Sequence, residues 1–495
     1  MYRFIRKNRE YIGCTKIPHV TCLCPICENI ELFVSGINSA LSTTNNEKLP
    51  ENCHDLLEKI SCKPITKPCS EDSCNKCPFP EETFEYLTDL ELVSFFEWKK
   101  VDKYCEKMQT NLTGEESIIK LKDQFKQLKH HYYIKRVQSQ EYLNHINNLG
   151  TGEIVIHTDY SENYRNRQAN EAKSAYFGHQ QFSIYTACVY YNTGEKVEVK
   201  SFGLVTDDND HSCDVTFALN CKLIENFEKM HKFSKIKFWS DGCSSQFRSQ
   251  YTFYMLTKFL PIYEIEWNYF QANHGKGAVD GVGGTIKNTV FRKVQSKEVV
   301  IQGPKHFAEF ADSVLPSITV LFIQDSKSGF EDECREKAVA IPGTLKVHRV
   351  LRETITGGYK LTFLDSSATN CSQIKDKVYE ASDLNGNKLV PLKQGDFVII
   401  TYEGEKFPAE ITEVESTDPS LVTVKCMKKD RTAGSIWCWP KHDDKVEYYN
   451  MYDCEKAQKP KLYGSLSDRV IKFYVAELAD RWGTVDQSKC SILPE

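Results

Sequence analysis

Three aspartates carry the strongest chemical signal in this chain: Asp159 in EIVIHTDYSENY, Asp241 in KIKFWSDGCSSQFRS and Asp280 in NHGKGAVDGVGGTIKN. Each of the first two ends a short apolar run that reads as a buried strand, and the third opens a glycine-rich entry into a helix. Carboxylates are hard oxygen donors, and three of them brought together could hold two magnesium or manganese ions about 3.5–4 Å apart. One ion of such a pair activates water or a 3′-hydroxyl and the other stabilises the leaving oxygen, which is phosphodiester chemistry. Unoccupied, the same carboxylates repel one another. A strand-end aspartate often only caps a turn, so the signal lies in the order, spacing and flanking glycines of the three together.

The neighbouring residues suit that chemistry. Gly275, Gly277, Gly281, Gly283 and Gly284 would let backbone approach a phosphate closely. His274 and Lys276 could position or neutralise the scissile group, and Arg248 follows shortly after the second acid. With Gly277 and Lys287 these make up the expected substrate contacts. The segment is not a phosphate-binding P-loop, because it lacks G-x4-G-K-[ST].

A second chemistry sits near the start. Of 20 cysteines, nine fall at positions 14, 22, 24, 27, 53, 62, 69, 74 and 77. Cys24-Pro-Ile-Cys27 and Cys74-Asn-Lys-Cys77 have the C-x2-C spacing with which one tight turn offers two thiolates to a tetrahedral zinc. Cys22, Cys62 and Cys69 stand near enough to complete or extend such a site, and the spacing leaves the pairing open. The bland alternative is a set of buried free thiols. The opening MYRFIRKNREYIG has no apolar signal-peptide core, and clustered cysteines then favour metal over disulfides in a nuclear or cytosolic protein.

The elements that must position these groups follow from periodicity. Strands are expected at EIVIHTDY, within AYFGHQQFSIYTACVYY and at KVEVKSFGLVTD, followed by an amphipathic helix at DVTFALNCKLIENFEKM. A strand at KIKFWSD, a helix at SQFRSQYTFYMLTKFL, a strand at YEIEWNYFQAN and the helix near Asp280 complete the order β-β-β-α-β-α-β-α. That is the topology of a ribonuclease-H-like core, in which the first and fourth strands lie side by side at the sheet centre and bring Asp159 and Asp241 face to face.

The remainder reads as attached modules. Residues 1–80 form the cysteine-rich zinc-binding region, and 81–149 a helical region in which Ile118, Leu121, Phe125 and Leu128 recur at helical spacing. Lys120, Lys122, Lys126, Lys129, Lys135 and Arg136, beside His130, His131, Tyr132 and Tyr133, could lie along a DNA backbone or be a solvated face. The core with its extension is expected over 150–345 and a linker or extension over 346–388. Short strands over 389–480 suggest an SH3- or Tudor-like barrel, where Trp437 and Trp439 either fill the core or cage a methylated lysine of chromatin. The fold class expected is therefore multidomain α/β.

The motifs HTDYSENY, AKSAYFGHQQFSIYTA, SDGCSSQFRS and NHGKGAVDGVGGTIK resemble the core of DDE/DDD transposases and integrases, with closest likeness to transposon-derived animal proteins. The likeness covers about residues 150–300. It implies that Asp159, Asp241 and Asp280 are the metal-binding catalytic acids, that the substrate is DNA and that the reaction is strand cleavage and transfer. It also implies a nuclear protein that works as a homo-oligomer. A catalytically inert DNA- or chromatin-binding descendant, and a ribonuclease-H-type enzyme acting on RNA or hybrids, share the same sequence features.

Composition bounds these readings. At 495 residues the chain exceeds one core, and 40% hydrophobic with 26% charged residues describes an ordinary globular protein. A net charge of -5 means that any nucleic-acid contact rests on local basic patches. No run of about 18 apolar residues occurs, which argues against a helical membrane span.

Overall fold

The computed structural model describes residues 24–43, 46–77, 84–102, 104–259, 263–272, 274–275, 277–324, 326–355 and 358–380, then 394–395, 397–402, 405–414, 422–429, 437–438, 445–448, 455–457 and 470–471. They divide into two compact units. The first runs to residue 377 without 354–359; the second holds 354–359 and the residues beyond 377. No helix among the described residues is long and apolar enough to cross a membrane.

The first unit begins with helices α1 (Pro25–Ala40), α2 (Cys53–Ile60) and α3 (Lys67–Ser70), then a hairpin of strands β1 (Val93–Val101) and β2 (Tyr104–Leu112). The 34-residue helix α4 (Gly114–Asn147) comes next, started by a reciprocal capping box between Thr113 and Glu116. Ile30, Phe33, Val34 and Ile37 of α1 pack with Phe95 of the hairpin and with Leu121, Phe125 and Leu128 of α4. The expectation that 81–149 is helical is thus corrected in its first half, which is an antiparallel hairpin turning at Asp102 with φ 52°.

The centre is a nine-stranded mixed sheet of β3 (Glu153–Arg165), β4 (Gln181–Asn192), β5 (Val197–Thr206), β6 (Lys235–Ser240), β7 (Glu264–Tyr269), β8 (Ile318–Phe322), β9 (Arg349–Ile355), β10 (Gly358–Leu364) and β11 (Gln373–Glu380). Its order is β11-β10-β9-β7-β6-β3-β4-β5-β8. β3 runs antiparallel to β4, and β4 to β5, whereas β3, β6 and β7 are mutually parallel. Ile154, Val155 and Ile156 are all buried, the near-continuous apolar run of a strand covered on both faces.

Helices α5 (Cys213–Glu228), α6 (Gln250–Met255) and α7 (Ala278–Gln295) connect or follow these strands, with α8 (Pro304–Val314) and α9 (Glu331–Lys337) beyond. Val279, Val282, Ile286, Val290 and Val294 form one stripe of α7 and pack on Phe182, Ile184 and Val205 of the sheet. Burying each such side chain is worth about 1.5–3 kcal/mol, so the stripe fixes the rotation of α7 and with it the direction of Asp280. Of the linker or extension expected over 346–388, the described residues to 380 form an extension, since β9, β10 and β11 belong to the same nine-stranded sheet.

In the second unit β12 (Phe397–Tyr402), β13 (Glu405–Val414), β14 (Val422–Cys426), β17 (Lys445–Tyr448) and β18 (Glu455–Ala457) form a five-stranded sheet whose pairings are all antiparallel. Strands β15 (Lys428–Lys429), β16 (Trp437–Cys438) and β19 (Val470–Ile471) make a second sheet. Trp439 lies outside the described residues.

Candidate active site and metal-binding clusters

β3 and β6 are neighbours in parallel register, with His157 level with Trp239. Two residues further on in β3 comes Asp159, and Asp241 lies one residue past the end of β6. β6 stops at Ser240, so Asp241 leaves the sheet and folds back, its Oδ1 accepting from the Cys243 amide at 3.1 Å. β3 continues, and its Asp159 carbonyl accepts from the Thr186 hydroxyl of β4 at 2.9 Å. Asp280 comes from the first turn of α7, where its Oδ2 accepts from the Gly277 amide at 2.8 Å.

The glycines of the NHGKG stretch work by close approach. A Cβ on Gly275 would stand 3.1 Å from the Cβ of Asp241, and one on Gly277 2.8 Å from the His157 ring. The loop into α7 therefore lies directly on His157 of β3 and on Asp241 past the end of β6.

The acids share an electrostatic field. Burial first, then the charges of Asp241 and Asp280, push the Asp159 carboxyl up to about 7. Burial also raises Asp241, against the pull of the Cys243 amide and the Arg248 charge. The three carboxylates do not close on one point: among the described residues no trio of their oxygens falls within the 4.8 Å mutual spacing of a single-ion site.

The expected substrate contacts divide. Arg248 is 4% exposed; it donates to the Val347 carbonyl at 3.2 Å and lies 5.7 Å over the Tyr269 ring. A Cβ on Gly242 would meet its guanidinium at 2.5 Å, so this arginine braces the Asp241 turn from beneath, a positioning residue rather than the exposed contact expected. His274 faces His131, with Nε2 atoms 3.1 Å apart. Lys287 donates to the Glu162 carbonyl at 3.0 Å, linking α7 to the far part of β3. Gly277 holds Asp280, and Lys276 lies outside the described residues.

Sequence reasoning missed His157, buried two residues before Asp159, whose Nδ1 sits 3.2 Å from the Tyr142 hydroxyl of α4. Burial drives its imidazole down to about 4, so it is neutral beneath the acids. The available signal was the polar HTD end to an otherwise apolar strand.

The cysteines resolve into two groups. Cys62, Cys69, Cys74 and Cys77 place their sulfurs within 4.8 Å of one another, a four-thiol cluster that could hold a metal such as zinc. It packs beside Tyr133, Ile134 and Val137 of α4 and Ala368. Burial would raise the Cys69 thiol, but hydrogen bonds from Thr66, whose hydroxyl is 3.1 Å away, together with those from Cys77 and Cys62, bring it down to about 6. Of the expected ligands Cys24 and Cys27, Cys24 falls in a second group that could hold a metal and Cys27 in neither. Cys24 caps α1 and approaches His131 and His274, while Cys27 is buried in the α1 core.

The basic run of α4 is partly engaged within the protein. Lys120 pairs with Glu97 at 2.9 Å, Lys129 is buried against Asp72, and Arg136 donates to the Ile65 carbonyl at 2.7 Å. His131 and Tyr133 are buried as well, whereas Lys122, Lys126 and His130 are exposed.

Comparison with known families adds two matches: a domain of unknown function (DUF8701) over residues 138–356, and another (DUF8700) over residues 25–129. No curated protein and no solved structure matches the chain.

Proposed function

We propose that this protein is a metal-dependent enzyme of phosphodiester cleavage and strand transfer on DNA, built on a ribonuclease-H-like core and derived from a transposase. The observation that carries the reading is the placement of Asp159 on β3 and of Asp241 just past the end of the adjacent parallel strand β6, with the charges of Asp241 and of Asp280 on the following helix both acting on Asp159. The strand order β5-β4-β3-β6-β7 with β3, β6 and β7 parallel supports the core assignment. Asp159, Asp241 and Asp280 would hold magnesium or manganese, which supplies nucleophile activation and charge neutralisation at the phosphorus. Arg248 holds the Asp241 turn, and His157 with Gly275 and Gly277 fixes the loop that aims α7. A nuclear setting and DNA as partner go with this reading. The four-thiol cluster would carry structural zinc, and the strands after 389 an SH3- or Tudor-like module.

The test is nicking of supercoiled plasmid by the full chain in Mg²⁺ or Mn²⁺ beside Asp241→Asn. The expected result is metal-dependent cutting that falls by at least about a hundredfold in the variant. Equal cutting by both proteins, or none by either, would overturn it. The second case would favour an inert DNA-binding descendant, a reading to which the capping role of Asp280 lends some support. Hybrid and RNA duplexes in parallel reactions separate the ribonuclease reading.

A further inference from the structure

We propose a second transition-metal site, formed by Cys24, His131 and His274 from three separate parts of the chain, that clamps the loop before α7 to α1 and α4. The reading is independent of any activity at the aspartates. Cys24 Sγ lies 3.5 Å from His131 Nε2, and His131 Nε2 lies 3.1 Å from His274 Nε2. All three donor atoms fall within 4.8 Å of one another. A soft thiolate with two imidazoles is a donor set for zinc or another borderline divalent ion, and it differs from the hard carboxylates of the neighbouring site.

Two features prepare the donors. Cys24 is the N-cap of the 16-residue helix α1, and its sulfur accepts from the Cys27 amide at 3.4 Å. The positive end of a helix favours a thiolate there.

The second feature is a chain of contacts behind His131. Its Nδ1 is 2.8 Å from the Gln271 amide nitrogen, and the Gln271 amide oxygen is 3.0 Å from His348 Nε2. His348 Nδ1 in turn lies 3.2 Å from the Lys346 carbonyl, which can only accept. A buried neutral imidazole has one N–H to give, and His348 gives it to that carbonyl. That calls for the Gln271 amide nitrogen and oxygen, which are alike in shape, to be exchanged from this placement, so that the NH₂ faces His348 and the oxygen faces His131. His131 then carries its proton on Nδ1 and turns the Nε2 lone pair toward Cys24 and His274. An oxygen acceptor behind a ligating histidine is the outer-shell arrangement that fixes the tautomer a metal needs.

The consequence concerns His274. It belongs to the NHGKG stretch that covers Asp241, so a metal held here would set the position of the loop that delivers Asp280.

The experiment measures zinc per chain in the full-length protein, purified with zinc and exchanged into excess Mg²⁺ to keep the carboxylates occupied. About two equivalents are expected in the wild type and about one in Cys24→Ser, in His274→Ala and in Cys74→Ser. Cys243→Ser, close to Asp241 but outside both clusters, should keep about two. His274 is only partly buried, so His274→Ala should retain the wild-type far-ultraviolet circular dichroism. With the four-thiol cluster disabled by Cys74→Ser and Cys77→Ser, Co²⁺ should give a thiolate charge-transfer band that Cys24→Ser removes. A wild type holding about one equivalent, or about two persisting in both Cys24→Ser and His274→Ala, overturns the proposal.

Discussion

At Asp159 burial and two neighbouring negative charges favour the protonated acid, and this makes stability depend on pH in a definite direction. The unfolded carboxyl ionises near 3.9, whereas the folded one does so at about 7. Below about 4 both states are protonated and the group contributes no difference. Between about 4 and about 7 the unfolded chain gives up its proton first, so stability falls as pH rises and stays reduced above that window. In chelator the wild type should lose about 1–3 kcal/mol across this window, less than the full shift because the group is partly exposed. Asp159→Asn should abolish the loss, and Mg²⁺ at pH 8 should raise the melting temperature of the wild type more than that of the variant. Thermal unfolding at several pH values checks all three. The three acids could be found in the sequence because each ends an apolar run or opens a glycine-rich helix. The metal ligands could not be paired there: C-x2-C spacing reports only a local turn, whereas the partners of Cys24 lie at positions 131 and 274, brought in by tertiary packing alone.

Among the elements, α7 does most to place the site, and its glycines show how closely it is seated. A Cβ on Gly283 would fall 2.6 Å from Ser161 Oγ and 2.8 Å from Ser161 Cβ, while nothing lies within 4 Å of one on Gly281. Gly283→Ala should therefore cost about 1–2 kcal/mol despite its better helix propensity, with partial recovery in combination with Ser161→Gly. Gly281→Ala should instead gain about 0.5–1 kcal/mol. Urea unfolding of the four proteins reads both signs. The alternation of strand and helix from 153 to 295 was legible because its strands are short apolar runs and its helices carry stripes. The β1–β2 hairpin was not. Phe96 and Trp98 sit on its exposed side opposite Val93 and Phe95, so apolar residues occupy both faces of β1 and the period of two disappears. β11 was missed for a related reason: at the end of the sheet it is mostly exposed and reads as polar chain.

Across the first unit, α4 is the shared support. Its early turns bear the α1 core, its middle faces the four-thiol cluster and presents His131, and its last turns reach the sheet. Gln138, fully buried, donates to the Tyr269 and His348 carbonyls at 2.9 and 3.1 Å and accepts from the Ser367 amide at 2.8 Å. Beyond it, His145 Nδ1 accepts from the Trp239 indole at 3.2 Å. Long helical spacing was visible in the sequence, but its lysines could be read only as a DNA-contacting or a solvated face, because charge alone does not reveal that Glu97 and Asp72 await two of them.

A rod of about 50 Å that keeps several appointments along its length has no slack in phase. Adding one residue after Lys135 would turn everything beyond it by about 100° and advance it by about 1.5 Å, carrying Gln138 and Tyr142 off their partners while His131 stays in place. That insertion should lower the melting temperature far more than Lys135→Ala, whose side chain only lies over Tyr132. Relatives of this chain would then be free to differ in the letters of the segment but held to its length, a constraint that a comparison of residue identities alone would overlook.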